Sequence, residues 1–416
     1  MAPPLLCSFI KLMFTRYLPH DNTTKIAFIS FFSSLYFYSH VGTLYLQERG
    51  LTLFQANSIG SIIIGTIFLA EVPTGVIADR IGRKNSVIAA MALQVLGEVL
   101  YLFSRHYWAF ALIAIIAGIG FAFLSGAVEA LIYDTLPLAT RELEMKKAMG
   151  LSGMAHQFAF VLAPVLGSFF LPTYTLNRFL WAVFGTACSV AVALLVAFTL
   201  DEPTHAGADG EHSPSALTIM RSGWREVRDS RLLQWLLLIG VFTATFSMSL
   251  VTLYQPYFAR FEISAFWMGL AFAAGAVLAG LGERYAYLVE KWLGKRWGFT
   301  LATLLPGLLY LALATVNAAS AIVLLFILTY GVTTLKNPLL SAYQNQLIQS
   351  KNRATVLSLV SLLNSLYVAL ISLLMGWLAD VDLRLAFGLI GGIIVMACLV
   401  LRVDRIEEKL GQSYGG

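Results

Sequence analysis

The sequence predicts an all-α polytopic membrane protein, with twelve transmembrane helices in two pseudo-symmetric six-helix bundles, and three observations predict it. The 416 residues are 58% hydrophobic and only 12% charged, far below the charged quarter of a soluble domain, and the mean hydropathy is +0.76. Apolar runs of about 20 residues, the length of a bilayer-spanning helix, recur with short polar breaks and lack the two-residue alternation of barrel strands. One longer polar stretch splits these runs six and six, and the two halves echo each other.

Residues 1–24 form an N-terminal segment. Its opening, MAPPLLCSFIKLMF, is apolar but broken by Lys11 and followed by no small-residue cleavage signature, so it is not read as a signal peptide. Six spans follow, near 25–47, 55–78, 85–104, 107–134, 149–171 and 177–200, and make up a bundle over 25–200. The linker 201–231 contains Pro, Gly and Ser in its first half and is basic in its second. Spans near 232–256, 264–289, 298–317, 320–346, 353–378 and 383–401 form the second bundle, 232–401, and a tail covers 402–416.

Lys and Arg set the orientation. The segments on the side of the N-terminus hold 21 of the 28, the opposite side holds 5, and Arg284 and Lys336 fall inside spans. The positive-inside rule therefore puts both termini in the cytoplasm, as a multi-pass protein of the cell membrane. The sequon Asn22-Thr23-Thr24 would then face the cytosol, out of reach of glycosylation. Basic residues scattered through short loops argue against a nucleic-acid partner. Cys7, Cys188 and Cys398 have no CxxC spacing, so neither a disulfide framework nor a metal site is expected. GxSxG, HExxH and GxxxxGK do not occur, which argues against a membrane-embedded enzyme, and Asp380-Val-Asp382 reads as a solvated loop pair.

Residues 75–84, GVIADRIGRK, place four charges between two apolar runs. A positive-inside hairpin accounts for Arg80, Arg83 and Lys84, and Gly82 for the tight turn. It does not account for Asp79, nor for Gly75, where a missing side chain would let a neighbouring helix approach. The second half answers with VEKWLGKR after the eighth span, and KKAMGLSG before the fifth is echoed by NRATVLSL before the eleventh. Such internal symmetry marks transporters built from repeated bundles.

Gly75, Asp79, Arg80, Gly82, Arg83 and Lys84 match every specified position of G-x-x-x-D-R-x-G-R-K, and with twelve spans the chain resembles the major facilitator superfamily (MFS) over its whole length. The resemblance implies the MFS fold and a latch in which Asp79 sits against a helix N-terminus of the other half. Asp134, an acid at the end of the fourth span, would join the same charge relay, which holds the outward-facing state. A second family pattern, on the fifth span, appears as Gly150, Ala159, Ala163, Pro164, Gly167 and Ser168, with every spacing intact and three glycines replaced. It is associated with antiporters that exchange a drug-like compound for protons. Ala114 stands where many such exporters carry an Arg, which counts against that reading.

Ionisable and polar groups at membrane depth are costly and mark candidate sites. Ser33, Tyr36, His40, Thr43 and Gln47 follow helical spacing as one polar stripe, with Tyr36 and His40 expected to line a wet cavity. Lys336 and Asn337 precede Pro338 in the tenth span and, with Asn364 of the eleventh, complete the expected cavity. For Lys336 two roles stay open: attracting an anionic part of the substrate, or neutralising a buried carboxylate. Glu71 and Glu129 lie about 10 Å and about 8 Å from the cytoplasmic ends of their helices and are the preferred proton carriers. Glu98, with Gln94 and Tyr101 on its face, reads as a structural polar cluster.

The expectation is a secondary active transporter working by alternating access, by proton-coupled efflux of an amphipathic compound. The alternative is uptake of a sugar, amino acid or organic anion, and a non-transporting sensor is the third reading. The expected partners are a small-molecule substrate, protons and the bilayer, acting on a monomer. No cofactor is expected, a proton gradient supplying the drive.

Overall fold

The computed structural model describes residues 21–137, 140–171, 175–202, 227–348 and 353–414. Within them the chain is helical, and ten segments are long and apolar enough to cross a membrane. One of these, Ala265–Thr315, runs through Gly294 at φ 74° and is long enough for two spans. The expected count of twelve is reached by dividing that segment at Gly294 and by taking two short helices before Arg49 as one interrupted span.

The chain divides into two compact units, Met1–Leu51 with Ile62–Glu211, and Thr52–Ser61 with His212–Gly416. In the first lie α1 (Asn22–Ser33), α2 (Gly42–Glu48), most of α3 (Leu53–Ile81), α4 (Arg83–Phe103), α5 (Tyr107–Leu124), α6 (Ala127–Thr135), α7 (Arg141–Phe170) and α8 (Leu176–Phe198). Its core packs Ile26 and Ile29 of α1 with Val87 and Met91 of α4, Leu131 of α6 and Val196 of α8. Ala90, Ala193 and Ala197 are fully buried among them, small enough for helix axes to approach closely. Gly118 of α5 serves the same end, since a Cβ there would sit 2.6 Å from the Thr66 side chain of α3.

The second unit contains α9 (Arg231–Phe242), α10 (Ser247–Arg260), α11 (Ala265–Thr315), α12 (Ala319–Val332), α13 (Lys336–Leu347), α14 (Arg353–Val381), α15 (Leu383–Val400) and α16 (Ile406–Tyr414). Gly391 of α15 lies so near α11 that a Cβ would stand 2.7 Å from the Gly307 carbonyl oxygen. The start of α3, from Leu53 to Ser61, belongs here. Asp380 accepts hydrogen bonds from the Leu53 and Phe54 amides at 2.6 and 2.9 Å, taking up donors that the start of a helix leaves free. Asp382 caps α15 through the Arg384 amide at 2.8 Å and meets Arg260 at 3.4 Å. Both acids are thus helix caps, a correction to their reading as a solvated loop pair.

Four spans expected to be continuous are interrupted: the first, fourth, seventh and tenth. The breaks fall between α1 and α2, at Ser125–Gly126, at Thr243–Phe246 and at Thr333–Leu335. Gly126 takes φ 74°, open to glycine at no cost, whereas Phe246 takes φ 48° against the usual steric penalty. Hydropathy averaged over a span does not register such breaks, because the interrupting stretches are short and their Ser, Thr, Gly and Tyr residues are only weakly polar among long apolar runs.

Candidate functional site

An interrupted helix exposes amides and carbonyls that lipid cannot satisfy, so their partners must come from the protein. In the first unit the break between α1 and α2 is held from three sides. The Phe37 amide donates to Thr186 Oγ1 of α8 at 3.1 Å, and Ser189 Oγ of α8 donates to the Phe32 carbonyl at 2.7 Å. Tyr38 OH donates to both Glu98 carboxyl oxygens on α4, at 3.1 and 3.0 Å. Gly167 of α7 lies against the same loop. Any Cβ there would overlap the Phe37 carbonyl oxygen and crowd the His40 ring.

In the second unit the breaks in the seventh and tenth spans are tied to each other. Lys336 Nζ donates to the Thr243 carbonyl at 2.6 Å and to its hydroxyl at 2.7 Å, so an ammonium lies at the C-terminus of α9, where the helix dipole favours a cation. Thr245 Oγ1 donates to the Thr333 carbonyl at 3.1 Å, and Tyr310 OH of α11 donates to the Thr245 carbonyl at 2.6 Å. The two units thus repeat a pattern. A tyrosine hydroxyl links the broken first helix of each bundle to its third.

The expected site residues fall in distinct places. Gly82 has φ 91° and starts α4, as the turn required. Glu202, which sequence reasoning passed over, accepts hydrogen bonds from the Arg83 and Lys84 amides at 2.7 and 2.9 Å and caps that helix. Arg80 is exposed, Asp134 is half-buried on α6, and the Asp79 side chain lies outside those described. Among the described residues no atom comes within 4 Å of where a Cβ on Gly75 or Gly150 would stand, so these show no close helix approach at either glycine. Ala159, Ala163, Pro164 and Ser168 are buried along α7.

The polar stripe of the first span does not run as one helical face, because Tyr36 and His40 lie in the break. His40 is fully buried and Tyr36 half-buried, while Gln47 is exposed. Lys336 is 3% exposed, and among the described residues its hydrogen bonds go to Thr243 rather than to a carboxylate. Asn337 is exposed and Asn364 half-buried. Glu71 and Glu129 are both exposed, on α3 and in the first turn of α6. Glu98, at 8% exposed, is the buried acid of the described spans. A cavity of about 520 Å³ opens beside Asp21, Thr135, Lys147 and Asp201. Its acids are already engaged: Asp21 caps α1, Glu144 meets Lys147 at 2.9 Å, and Asp201 meets Lys25 at 2.9 Å.

Comparison with known proteins gives a concordant picture. The family model described as Major Facilitator Superfamily matches residues 26–335. The inner membrane transport protein YajR of Escherichia coli (strain K12) is 28% identical over 165 residues, 38% of this chain and 35% of that protein. This chain therefore spans about a third of that relative in the match. Multidrug resistance protein 1 of Bacillus subtilis (strain 168) is 22% identical over 314 residues, 74% of this chain and 76% of its own. Among solved structures, a bacterial homolog of the human lysosomal transporter Spinster superposes with a TM-score of 0.72 at 16% identity, over 98% of this chain and 99% of the other.

Proposed function

Because the chain belongs to the major facilitator superfamily, we propose that it is a secondary active transporter that exports an amphipathic compound in exchange for protons. The observation that carries this reading is Gly167. It belongs to the fifth-span pattern associated with drug and proton antiporters, and it is a position at which α7 meets the break in the first helix with no room for a side chain. Similarity to a protein named for multidrug resistance supports the same reading. Uptake of a small metabolite is the second reading, favoured by Ala114, which is 2% exposed where exporters of this type carry an Arg. Proton carriage by Glu71 or Glu129, and a cavity lined by Tyr36, His40, Lys336, Asn337 and Asn364, belong to this proposal.

The test is transport by the purified protein in proteoliposomes with an imposed pH gradient, beginning with ethidium as a fluorescent amphipathic cation and extending to sugars, amino acids and organic anions. Gradient-driven movement of ethidium opposite to protons is the expected result. Co-directional movement of a sugar or amino acid with protons would replace export by uptake. The latch of Gly75, Asp79, Arg80, Gly82, Arg83, Lys84 and Asp134 is proposed to act at the end of the bundle capped by Glu202. Asp79→Asn should cut transport at least severalfold in a protein that still reaches the membrane and unfolds at the wild-type temperature. Full transport by a well-expressed Asp79→Asn protein would remove the latch.

A further inference from the structure

Glu98 sits five residues before the end of α4, about 8 Å inside it at 1.5 Å per residue. Its surroundings are aromatic. Tyr38 stacks on Tyr101 at 5.3 Å between ring centroids, Tyr101 on Tyr45 at 5.1 Å, and Tyr36 meets Tyr38 edge-on at 5.9 Å. Among the described residues the hydrogen bonds to Glu98 come from Tyr38 alone, a neutral phenol. The other titratable groups on elements packed against α4 are Tyr36, Tyr45 and Arg49 around α2, Tyr107 on α5, Glu129, Tyr133 and Asp134 on α6, and Arg178 and Cys188 on α8. With His40 and Glu48 beside α2 included, none of them hydrogen-bonds to Glu98, so among the described residues its carboxylate has no cationic partner.

An ionised carboxylate enclosed in this way in the membrane leaves a charge that a phenol only partly offsets. One turn earlier on the same helix, Gln94 is 5% exposed and its Oε1 is buried with no hydrogen-bond partner. Among the described residues, then, a buried acceptor without a donor stands one turn from a buried acid without a cation, and a single proton answers both, since a carboxylic acid donates where a carboxylate accepts.

We propose that Glu98 is a proton-binding site of this transporter, and that Tyr38 couples its loading to the break between α1 and α2. Glu98 takes a proton from hydronium, forming the carboxylic acid and leaving water, and returns it to water on the other side of the cycle. Tyr38 keeps its own proton throughout, donating to both carboxylate oxygens when Glu98 is ionised and to the remaining carbonyl oxygen when it is not. The changed bond alters the hold on residues 34–41, the loop that also rests on Gly167 and Thr186. The site deepens the proton-coupled reading and rests on it for its role in transport. It places the carrier on the third span rather than at Glu71 or Glu129.

The deciding measurement is infrared difference spectroscopy of the full chain in lipid, stepped across the neutral pH range in H2O and D2O, which needs no substrate. Wild type should show a carboxylic-acid carbonyl band that grows as pH falls and shifts in D2O. Glu98→Gln should lose that band while Glu71→Gln and Glu129→Gln keep it, and Tyr38→Phe should keep it at a shifted frequency and midpoint, which a merely structural contact would not produce. A band that survives in Glu98→Gln, or no titrating band in wild type, overturns the site. Should Glu98→Gln fail to reach the membrane, an unshifted band in Tyr38→Phe overturns it instead. In proteoliposomes with ethidium, gradient-driven movement should be lost in Glu98→Gln while equilibrative exchange remains. Gradient-driven movement that persists in Glu98→Gln rejects its coupling role alone, whereas wild-type movement indifferent to the gradient rejects the proton-coupled reading itself.

Discussion

Two glycines of the family patterns, Gly167 and Gly75, sit in opposite surroundings. At Gly167 the Phe37 carbonyl occupies the space of a side chain, and that carbonyl is fixed by the Phe37 amide bond to Thr186. Gly167→Ala should therefore destabilise the protein by about 1–3 kcal/mol, the usual cost of overpacking against backbone that has no room to retreat. Gly75→Ala and Gly150→Ala meet open space within helices and should be neutral or stabilising by up to about 1 kcal/mol through the unfolded chain. Thermal unfolding of the three variants in one detergent checks this, and equal losses at all three positions would contradict it. Gly75→Ala with impaired transport but unimpaired stability would place the importance of that glycine in a conformation other than this one.

At the scale of elements, the broken helices carry the stability question. Lys336 offers two hydrogen bonds to Thr243 where α9 ends, and charged hydrogen bonds of this kind contribute about 1.5–3 kcal/mol each when buried. A double-mutant cycle of Lys336→Met and Thr243→Val should give a coupling of about 1–3 kcal/mol in thermal unfolding. A coupling near zero, with weakened affinity for anionic compounds alone, would return Lys336 to substrate binding.

The 3-10 turn Val403–Arg405, just ahead of α16, offers a pH-dependent contact outside the spans. The Arg402 guanidinium beside Asp404 holds its carboxyl below the usual aspartate range, and Arg296 adds a second charge at 3.9 Å. A lowered folded value means the contribution is complete above the unfolded value of about 3.9 and fades as pH falls through the folded one. The pair is partly exposed, so Asp404→Asn should cost no more than about 1 kcal/mol at neutral pH. Its deficit in thermal unfolding should close as pH drops below the unfolded aspartate value. A deficit that widens in acid would reverse the sign of this argument.

For the whole molecule, orientation follows from charge. With 21 of 28 Lys and Arg in the segments on one side, both termini are expected in the cytoplasm. A green fluorescent protein fused after Gly416 should fluoresce in a bacterial host, and an alkaline phosphatase fused there should be inactive. The opposite pair of results would invert the topology and with it the direction assigned to every transport measurement.

The class of the fold was legible in the sequence because the bilayer reads composition directly. A run of apolar residues about 30 Å long has one stable environment, and twelve such runs with an internal echo leave few arrangements. Gly82 was legible too, since a motif glycine between two spans announces a positive-φ turn. The breaks in the first, fourth, seventh and tenth spans were not, because hydropathy reports burial in lipid and says nothing about where backbone hydrogen bonds lapse. Nor were the partners that make the breaks tolerable: Thr186 lies 149 residues from Phe37, Lys336 93 from Thr243, and Glu202 119 from Arg83. Glu98 shows the difference most plainly. In the sequence it is one polar residue on the third apolar helix, indistinguishable from an ordinary packing contact. Only the packed bundle decides that it lies buried against Tyr38 with no cationic partner among the described residues, because burial and counter-charge are properties of all the helices around it and of no segment alone.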